Sequence, residues 1–300
     1  MYIWCISALA GIVTYNAINN VEMPLTGTDL SKKNKNIIPE GIGLLSCGTT
    51  IIACVLLGVP NNMLFPITAA LLLGFMDDVI DIPWRMKLVL PAIASMPLEF
   101  ETSRIDIGSM FIELGIFYPI FATFLCVYCS NAINILAGIN GIEVSQCIII
   151  GIAFIMIDNS TMSLMLPFVT TSSVLLWFNW YPARVFVGDS YTLFSGMLFA
   201  VTGLCSHLNY TLFWMLLPQT INFCLSLPQL LKIHPCPRHR LPSYDAQTDT
   251  LQPSMYHGRM NQTLINYILK WLGPTHERLL NVYMICIQIT SCSFAYYLRQ

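Results

Sequence analysis

Ten apolar stretches divide the chain, near residues 2–19, 42–59, 62–76, 86–98, 113–130, 142–157, 162–179, 190–206, 210–231 and 280–298. Each reads as a helix in lipid, because a helix rising about 1.5 Å per residue needs about 20 apolar residues to cross the hydrocarbon core. The segments 62–76 and 86–98 are short for that, so each is either a span or a buried or re-entrant element. Between the last two spans lies the longest polar stretch, 232–279, whose amphipathic piece from Thr263 to Leu272 reads as a helix resting on the membrane surface. The expected architecture is an all-α polytopic membrane protein of about ten spans, one domain over residues 1–300, with no internal repeat and no separate soluble domain.

Composition agrees with lipid as the solvent. Hydrophobic residues make up 55% and charged residues 10% of the chain, against about 25% charged in a typical soluble domain. A formal net charge of −2 gives no excess of positive charge that would point to nucleic acid. Most of the eleven cysteines sit inside apolar runs at irregular spacing, which fits small core side chains rather than disulfides or zinc. The first apolar run has no basic flank and no clear cleavage site, so it is expected to stay as a helix. If all ten segments span, twelve of the fourteen Lys and Arg residues fall on one side and only Arg104 and Arg299 opposite. Basic residues mark cytoplasmic loops, so that side is expected to be cytoplasmic and both termini lumenal.

Every polar motif falls on the same basic side. G-F-M-D-D-V-I-D-I-P-W-R-M-K, residues 74–87, puts Asp77 and Asp78 at the end of a span, followed by Asp81, Trp84 and Lys87. N-A-I-N-I-L-A-G-I-N-G-I-E, 131–143, interrupts an apolar run with Asn134, Gly138 and Asn140. N-W-Y-P-A-R-V-F-V-G-D-S, 179–190, carries Phe186 and Asp189, and P-Q-L-L-K-I-H-P-C-P-R-H-R-L-P, 228–242, carries Arg238, His239 and Arg240 among prolines. Each motif alone has a plainer explanation: a helix end with a basic anchor, interhelical amide bonds, an N-cap at Asp189, a positively charged loop. Together they supply carboxylates and amide oxygens for a hard cation such as Mg²⁺, cations for phosphate and aromatic faces for a base. That is the inventory of phosphoryl transfer.

At these residues the sequence resembles the polyprenyl-phosphate N-acetylhexosamine-1-phosphate transferases, and within them the eukaryotic branch acting on UDP-GlcNAc and dolichyl phosphate. The likeness extends to G-T-D-L-S-K, to I-P-E at 38–40 and to L-G-P-T-H-E-R at 272–278. The resemblance implies a ten-helix fold in the endoplasmic reticulum membrane with a cytoplasmic-face active site, Mg²⁺ dependence, a homodimer and sensitivity to tunicamycin-like nucleosides. It implies Asn134 and Asp189 as Mg²⁺ ligands, and Lys87 with Arg238, His239 and Arg240 on the pyrophosphate and sugar, Trp84 nearby. It further implies Leu30, Glu40, Gly138, Asn140 and Phe186 in a uridine pocket, and an essential pair at Asp77 and Asp78. Asp81 departs from the Asn of animal members, and the stretch from Arg240 to Leu272 is shorter than theirs.

Because a phosphate monoester has its second pKa near about 6, the lipid phosphate is already mostly dianionic at neutral pH. Asp78 is therefore expected to position the site or bind an ion rather than act as a base. Two other functions share parts of this pattern. A prokaryotic-type transferase would use undecaprenyl phosphate or UDP-MurNAc-pentapeptide, whereas P-C-P-R-H-R and N-W-Y-P favour the eukaryotic branch. A nucleotide-sugar transporter or inactive scaffold would place its polar residues at mid-membrane in inverted repeats. Here they gather at one face.

Overall fold

The computed structural model describes residues 1–29, 37–80, 82–83, 85–100, 103–107, 110–237 and 239–299. Leu30, Asp81, Trp84 and Arg238 lie outside the described residues, as do Lys32, Lys33 and Lys35. Twelve α-helices run through the described part: α1 (Tyr2–Asn20), α2 (Gly43–Leu56), α3 (Asn61–Ile80), α4 (Met86–Ser95), α5 (Tyr118–Ile135), α6 (Ile142–Ile157), α7 (Met162–Asn179), α8 (Gly188–Cys205), α9 (Asn209–Met215), α10 (Leu217–Leu230), α11 (Leu264–Leu272) and α12 (Glu277–Arg299). Each of the ten apolar stretches contains helix. Among the described residues, four helical segments are long and apolar enough to cross a membrane by length and composition: Asn61–Ile80, Gly115–Ile135, Asn159–Asn179 and Glu277–Arg299. The short stretch 62–76 thus belongs to a full-length helix. The stretch 86–98 does not: α4 has ten residues, about half a hydrocarbon core at about 1.5 Å per residue.

Two expectations need correction. The stretch 210–231 is two helices, α9 and α10, meeting at Leu216. Pro218 has no amide hydrogen and its ring cannot pass the carbonyl four residues earlier, so the helix breaks. The freed carbonyls are taken up from α12: Ser291 Oγ donates to the Trp214 carbonyl at 2.5 Å and Gln288 Nε2 to that of Met215 at 2.7 Å. In lipid such replacement partners are what makes a break tolerable. The all-α expectation also fails in the loops, which hold four antiparallel hairpins: β1 (Thr26–Thr28) with β2 (Ile37–Pro39), β3 (Arg104–Ile107) with β4 (Met110–Glu113), β5 (Ser243–Asp245) with β6 (Thr250–Gln252), and β7 (Met255–Tyr256) with β8 (Arg259–Met260). Loop backbone must also pair its N–H and C=O groups. The β7–β8 turn does so with His257 and Gly258 both at positive φ, the conformation a two-residue hairpin requires.

The bundle is apolar outside and in. Trp4, Leu9, Phe65, Leu72, Phe124 and Trp177 are exposed on outer helix faces, where lipid rather than water would meet them. Helix α8 forms the centre, buried along almost its whole length and packed against α3 and α5. Small residues permit this: a Cβ at Gly74 of α3 would collide with the backbone of Asp189 and Ser190, and one at Gly196 of α8 with the backbone of Cys129 in α5. Lipid supplies no hydrophobic drive between helices, so close backbone contact and buried hydroxyl pairs such as Thr50–Thr171 at 2.7 Å take its place. Helix α11 keeps the amphipathic character read from sequence, with Thr263 capping its start, Ile265 and Leu269 buried and Trp271 exposed.

Candidate active site

Segments far apart in sequence deliver polar side chains to one place. Asp77 and Asp78 lie in the last turn of α3, Lys87 in the first of α4, Asn134 in the last of α5 and Asp189 in the first of α8. Lys87 Nζ stands 2.5 Å from Asp77 Oδ2 and 2.8 Å from Asp189 Oδ2. One ammonium thus bridges carboxylates from two other helices, and the lysine side chain is 25% exposed against 5% for Asp77. Charges this enclosed persist only when paired. Asn131 Nδ2 donates to the Lys87 carbonyl at 3.0 Å, fixing α4 to α5 beneath the cluster.

Asp78 serves a different purpose. Its carboxylate accepts from the backbone N–H of Asp189 at 2.6 Å and of Ser190 at 3.1 Å. The residue in the N-cap position of α8, Val187, offers no side-chain cap, so the neighbouring helix provides one. Gly188, at φ +74°, lies where a Cβ would strike that same carboxylate. Asp189 is therefore not the N-cap its position suggested, and its own carboxylate is free to face Lys87. With both Asp78 oxygens occupied by backbone, a positioning role follows. Asp78→Asn sets an NH₂ against a backbone N–H and should cost about 1–3 kcal/mol of stability. The expected outcome is a lower Tm together with a lower kcat, with the shape of the pH–rate profile unchanged. An inactive variant with wild-type Tm and a lost ionisation would make Asp78 a base.

Asn134 Nδ2 is buried with no hydrogen-bond partner among the described residues, although its amide lies beside the Asp189 carboxylate. Amide oxygen and nitrogen are interchangeable by a flip, which would turn Oδ1 toward Asp189. An amide oxygen and a carboxylate fit a hard divalent cation that keeps water and takes phosphate oxygens for its remaining positions. No group of three or more His, Cys, Asp or Glu converges among the described residues.

Beside the cluster opens a cavity of about 520 Å³, lined by Gly27, Thr28 and Asp29 of the first hairpin region, Glu40, Asn134, residues 137–140, Glu143, Phe186, Asp189, His239 and Glu277 among others. The 137–141 loop bends at Gly138 and Gly141, with φ +120° and +83°, values that side chains resist. Its last two residues are held from behind. Asn140 N–H donates to Glu277 Oε1 at 2.6 Å, Gly141 N–H to Asn179 Oδ1 at 3.1 Å, and Asn281 Nδ2 donates to the Asn140 carbonyl at 2.9 Å. Burial, with the Asp189 charge adding to it and His239 opposing, holds the Glu40 carboxyl above the ordinary carboxylate range. Arg240 stands between two lining residues, His239 and Leu241, without lining the cavity itself. Burial pulls its guanidinium below the ordinary range, and Nη1 has no hydrogen-bond partner among the described residues.

Of the residues singled out in the sequence, Glu40, Asn134, Gly138, Asn140, Phe186, Asp189 and His239 line this cavity. Asp77, Asp78 and Lys87 join it through Asp189. Leu30, Asp81, Trp84 and Arg238 lie outside the described residues. Asp29, Glu143, Asn179 and Glu277 also line it and were not foreseen, although each stands inside a motif already noted: G-T-D-L, the end of N-G-I-E, the start of N-W-Y-P, and H-E-R.

Residues 61–207 match the family described as Glycosyl transferase family 4. The chain is 36% identical to the UDP-N-acetylglucosamine–dolichyl-phosphate N-acetylglucosaminephosphotransferase of Dictyostelium discoideum, over 94% of its own length and 85% of that protein. It is 29% identical to the protein of the same name from Saccharomyces cerevisiae, over 86% and 80%. The phospho-N-acetylmuramoyl-pentapeptide-transferase of Streptococcus thermophilus is 31% identical over only 52% of this chain and 51% of its own. The likeness to the dolichyl-phosphate enzymes is thus much the more extensive.

Proposed function

The chain belongs to the polyprenyl-phosphate N-acetylhexosamine-1-phosphate transferases of Glycosyl transferase family 4, and from that premise we propose that it transfers GlcNAc-1-phosphate from UDP-GlcNAc to dolichyl phosphate. An oxygen of the lipid phosphate attacks the sugar-bearing phosphorus, the bond from that phosphorus to the oxygen of UMP breaks, and GlcNAc-PP-dolichol and UMP result. The observation that carries this reading is the Lys87 ammonium held between Asp77 and Asp189 at the edge of a cavity of about 520 Å³. A pre-positioned cation stabilises charge as it spreads over the transferring phosphoryl group. The near-dianionic lipid phosphate needs no proton removed, in keeping with an Asp78 whose oxygens are committed to backbone.

Asp189 and Asn134 would hold Mg²⁺, which when bound neutralises the pyrophosphate oxygens. Glu40, Gly138, Asn140 and Phe186 would receive the uridine, and His239 with Arg240 the sugar phosphate. The site would face the cytoplasm from an endoplasmic reticulum membrane crossed about ten times, with residues 232–279 as a cytoplasmic loop and the chain forming a homodimer. The decisive assay measures UMP release by purified protein from UDP-GlcNAc, with dolichyl and undecaprenyl phosphate in parallel. Turnover with the dolichyl acceptor is expected to exceed that with undecaprenyl phosphate. Turnover only with undecaprenyl phosphate, or with neither, overturns the assignment.

Arg240→Lys tests the phosphate-binding part separately. The change keeps the charge and removes the planar fork whose Nη1 has no partner among the described residues. kcat/KM for UDP-GlcNAc should fall about 10²-fold, roughly 2.7 kcal/mol, with KM for the lipid little changed. Normal efficiency would reduce the cluster to a basic membrane anchor.

A further inference from the structure

Two backbone donors of the loop that Asn140 occupies are already in use. The N–H groups of Asn140 and Gly141 are taken by Glu277 and Asn179. The side chain repeats the pattern: Asn140 Nδ2 donates to Asp29 Oδ2 at 3.0 Å, across 111 residues of sequence. A carboxylate has only acceptors to offer, so the amide nitrogen must face Asp29 and the amide oxygen must face elsewhere. Asn140 lines the cavity, and its Oδ1 is not among the enclosed atoms lacking a partner. The oxygen is thus open to the cavity. An amide that could flip would accept from one ligand and donate to another. This one is held in a single sense.

We propose that Asp29 is a specificity-determining positioning residue: by fixing the Asn140 amide with its oxygen toward the cavity, it makes the site read a hydrogen-bond donor on the nucleobase, the imide N–H of uracil, and reject the acceptor nitrogen that cytosine carries there. This rests on the proposal above that a uridine nucleotide enters this cavity. Asp29, which lines the same cavity, acts on this choice through Asn140. A site whose polar group is left facing a like group loses far more affinity than one that merely loses a contact.

The test compares UMP and CMP as inhibitors of UMP-forming turnover, or as ligands in a thermal-shift titration, using the full-length protein in detergent with Mg²⁺. Wild type should favour UMP by at least about 10²-fold. Asp29→Asn supplies a partner that donates as readily as it accepts, so Asn140 can turn over. The UMP/CMP ratio should then fall at least about tenfold, with CMP binding gaining in absolute terms. Asp29→Glu keeps an acceptor-only partner and should retain the wild-type ratio. If Asp29→Asn does not fold, Asp29→Ser frees the amide equally and should lower the ratio in the same direction. A ratio unchanged in the folded neutral variant, with both nucleotides weakened alike, overturns the proposal and leaves Asp29 a structural contact. A wild type that binds UMP and CMP equally would instead remove the uridine assignment of the cavity, and this inference with it.

Discussion

Asp189→Asn is expected to lower kcat/KM for UDP-GlcNAc by about 10³-fold or more, about 4 kcal/mol of transition-state stabilisation, while the fold survives. The two halves of that expectation have separate causes. Asp189 faces Lys87 at 2.8 Å and lies beside Asn134, whose buried amide nitrogen has no hydrogen-bond partner among the described residues. Neutralising it removes a carboxylate from the pair proposed to hold Mg²⁺ and releases Lys87 from one of its two carboxylate contacts. The start of α8, by contrast, is capped by Asp78 and not by Asp189, so secondary structure at the site does not depend on the altered group. Measured together, Tm should move by only a few degrees while activity collapses, and excess Mg²⁺ should recover little. Activity within tenfold of wild type in saturating Mg²⁺ would sink the assignment of Asp189 as a metal ligand.

Hydropathy located every membrane-sized helix because burial in lipid imposes one simple requirement, a long enough apolar run. It missed the break at Leu216, because the carbonyls that Pro218 releases are rescued by Ser291 and Gln288, about seventy residues away in sequence. The hairpins were missed for a related reason: short polar loops carry no long periodic pattern, and turn residues such as His257 and Gly258 are a weak signal alone. In the site, the chemically conspicuous groups were legible. Asp77, Asp78, Lys87, Asn134 and Asp189 stand at the ends of apolar runs, where charge or an amide must be explained. Asp29 and Glu277 were not, since what they do is set by contacts with Asn140 across 111 and 137 residues. At Asp189 the position alone left a helix cap as the plainer alternative to a site ligand, and the cap is provided by Asp78 instead.

Lys87→Met should lower kcat about 10³-fold, and a double variant separates the two jobs that this lysine performs. As a counter-ion it holds apart two carboxylates, Asp77 and Asp189, that would otherwise face each other unneutralised. As a cation at the cavity edge it is placed to meet charge on the transferring phosphoryl group. Removing it leaves a nearly buried Asp77 without its partner, so Lys87→Met should also lose stability, by about 3–5 kcal/mol if the pair behaves as a buried one. Adding Asp77→Asn to that variant removes the stranded charge, and Tm should recover most of the loss. Activity should not recover, because the cation needed in the transition state is still missing. Recovery of kcat along with Tm in Lys87→Met/Asp77→Asn would mean that Lys87 only neutralises Asp77, and the phosphoryl-stabilising charge would then have to come from Arg240 and its neighbours.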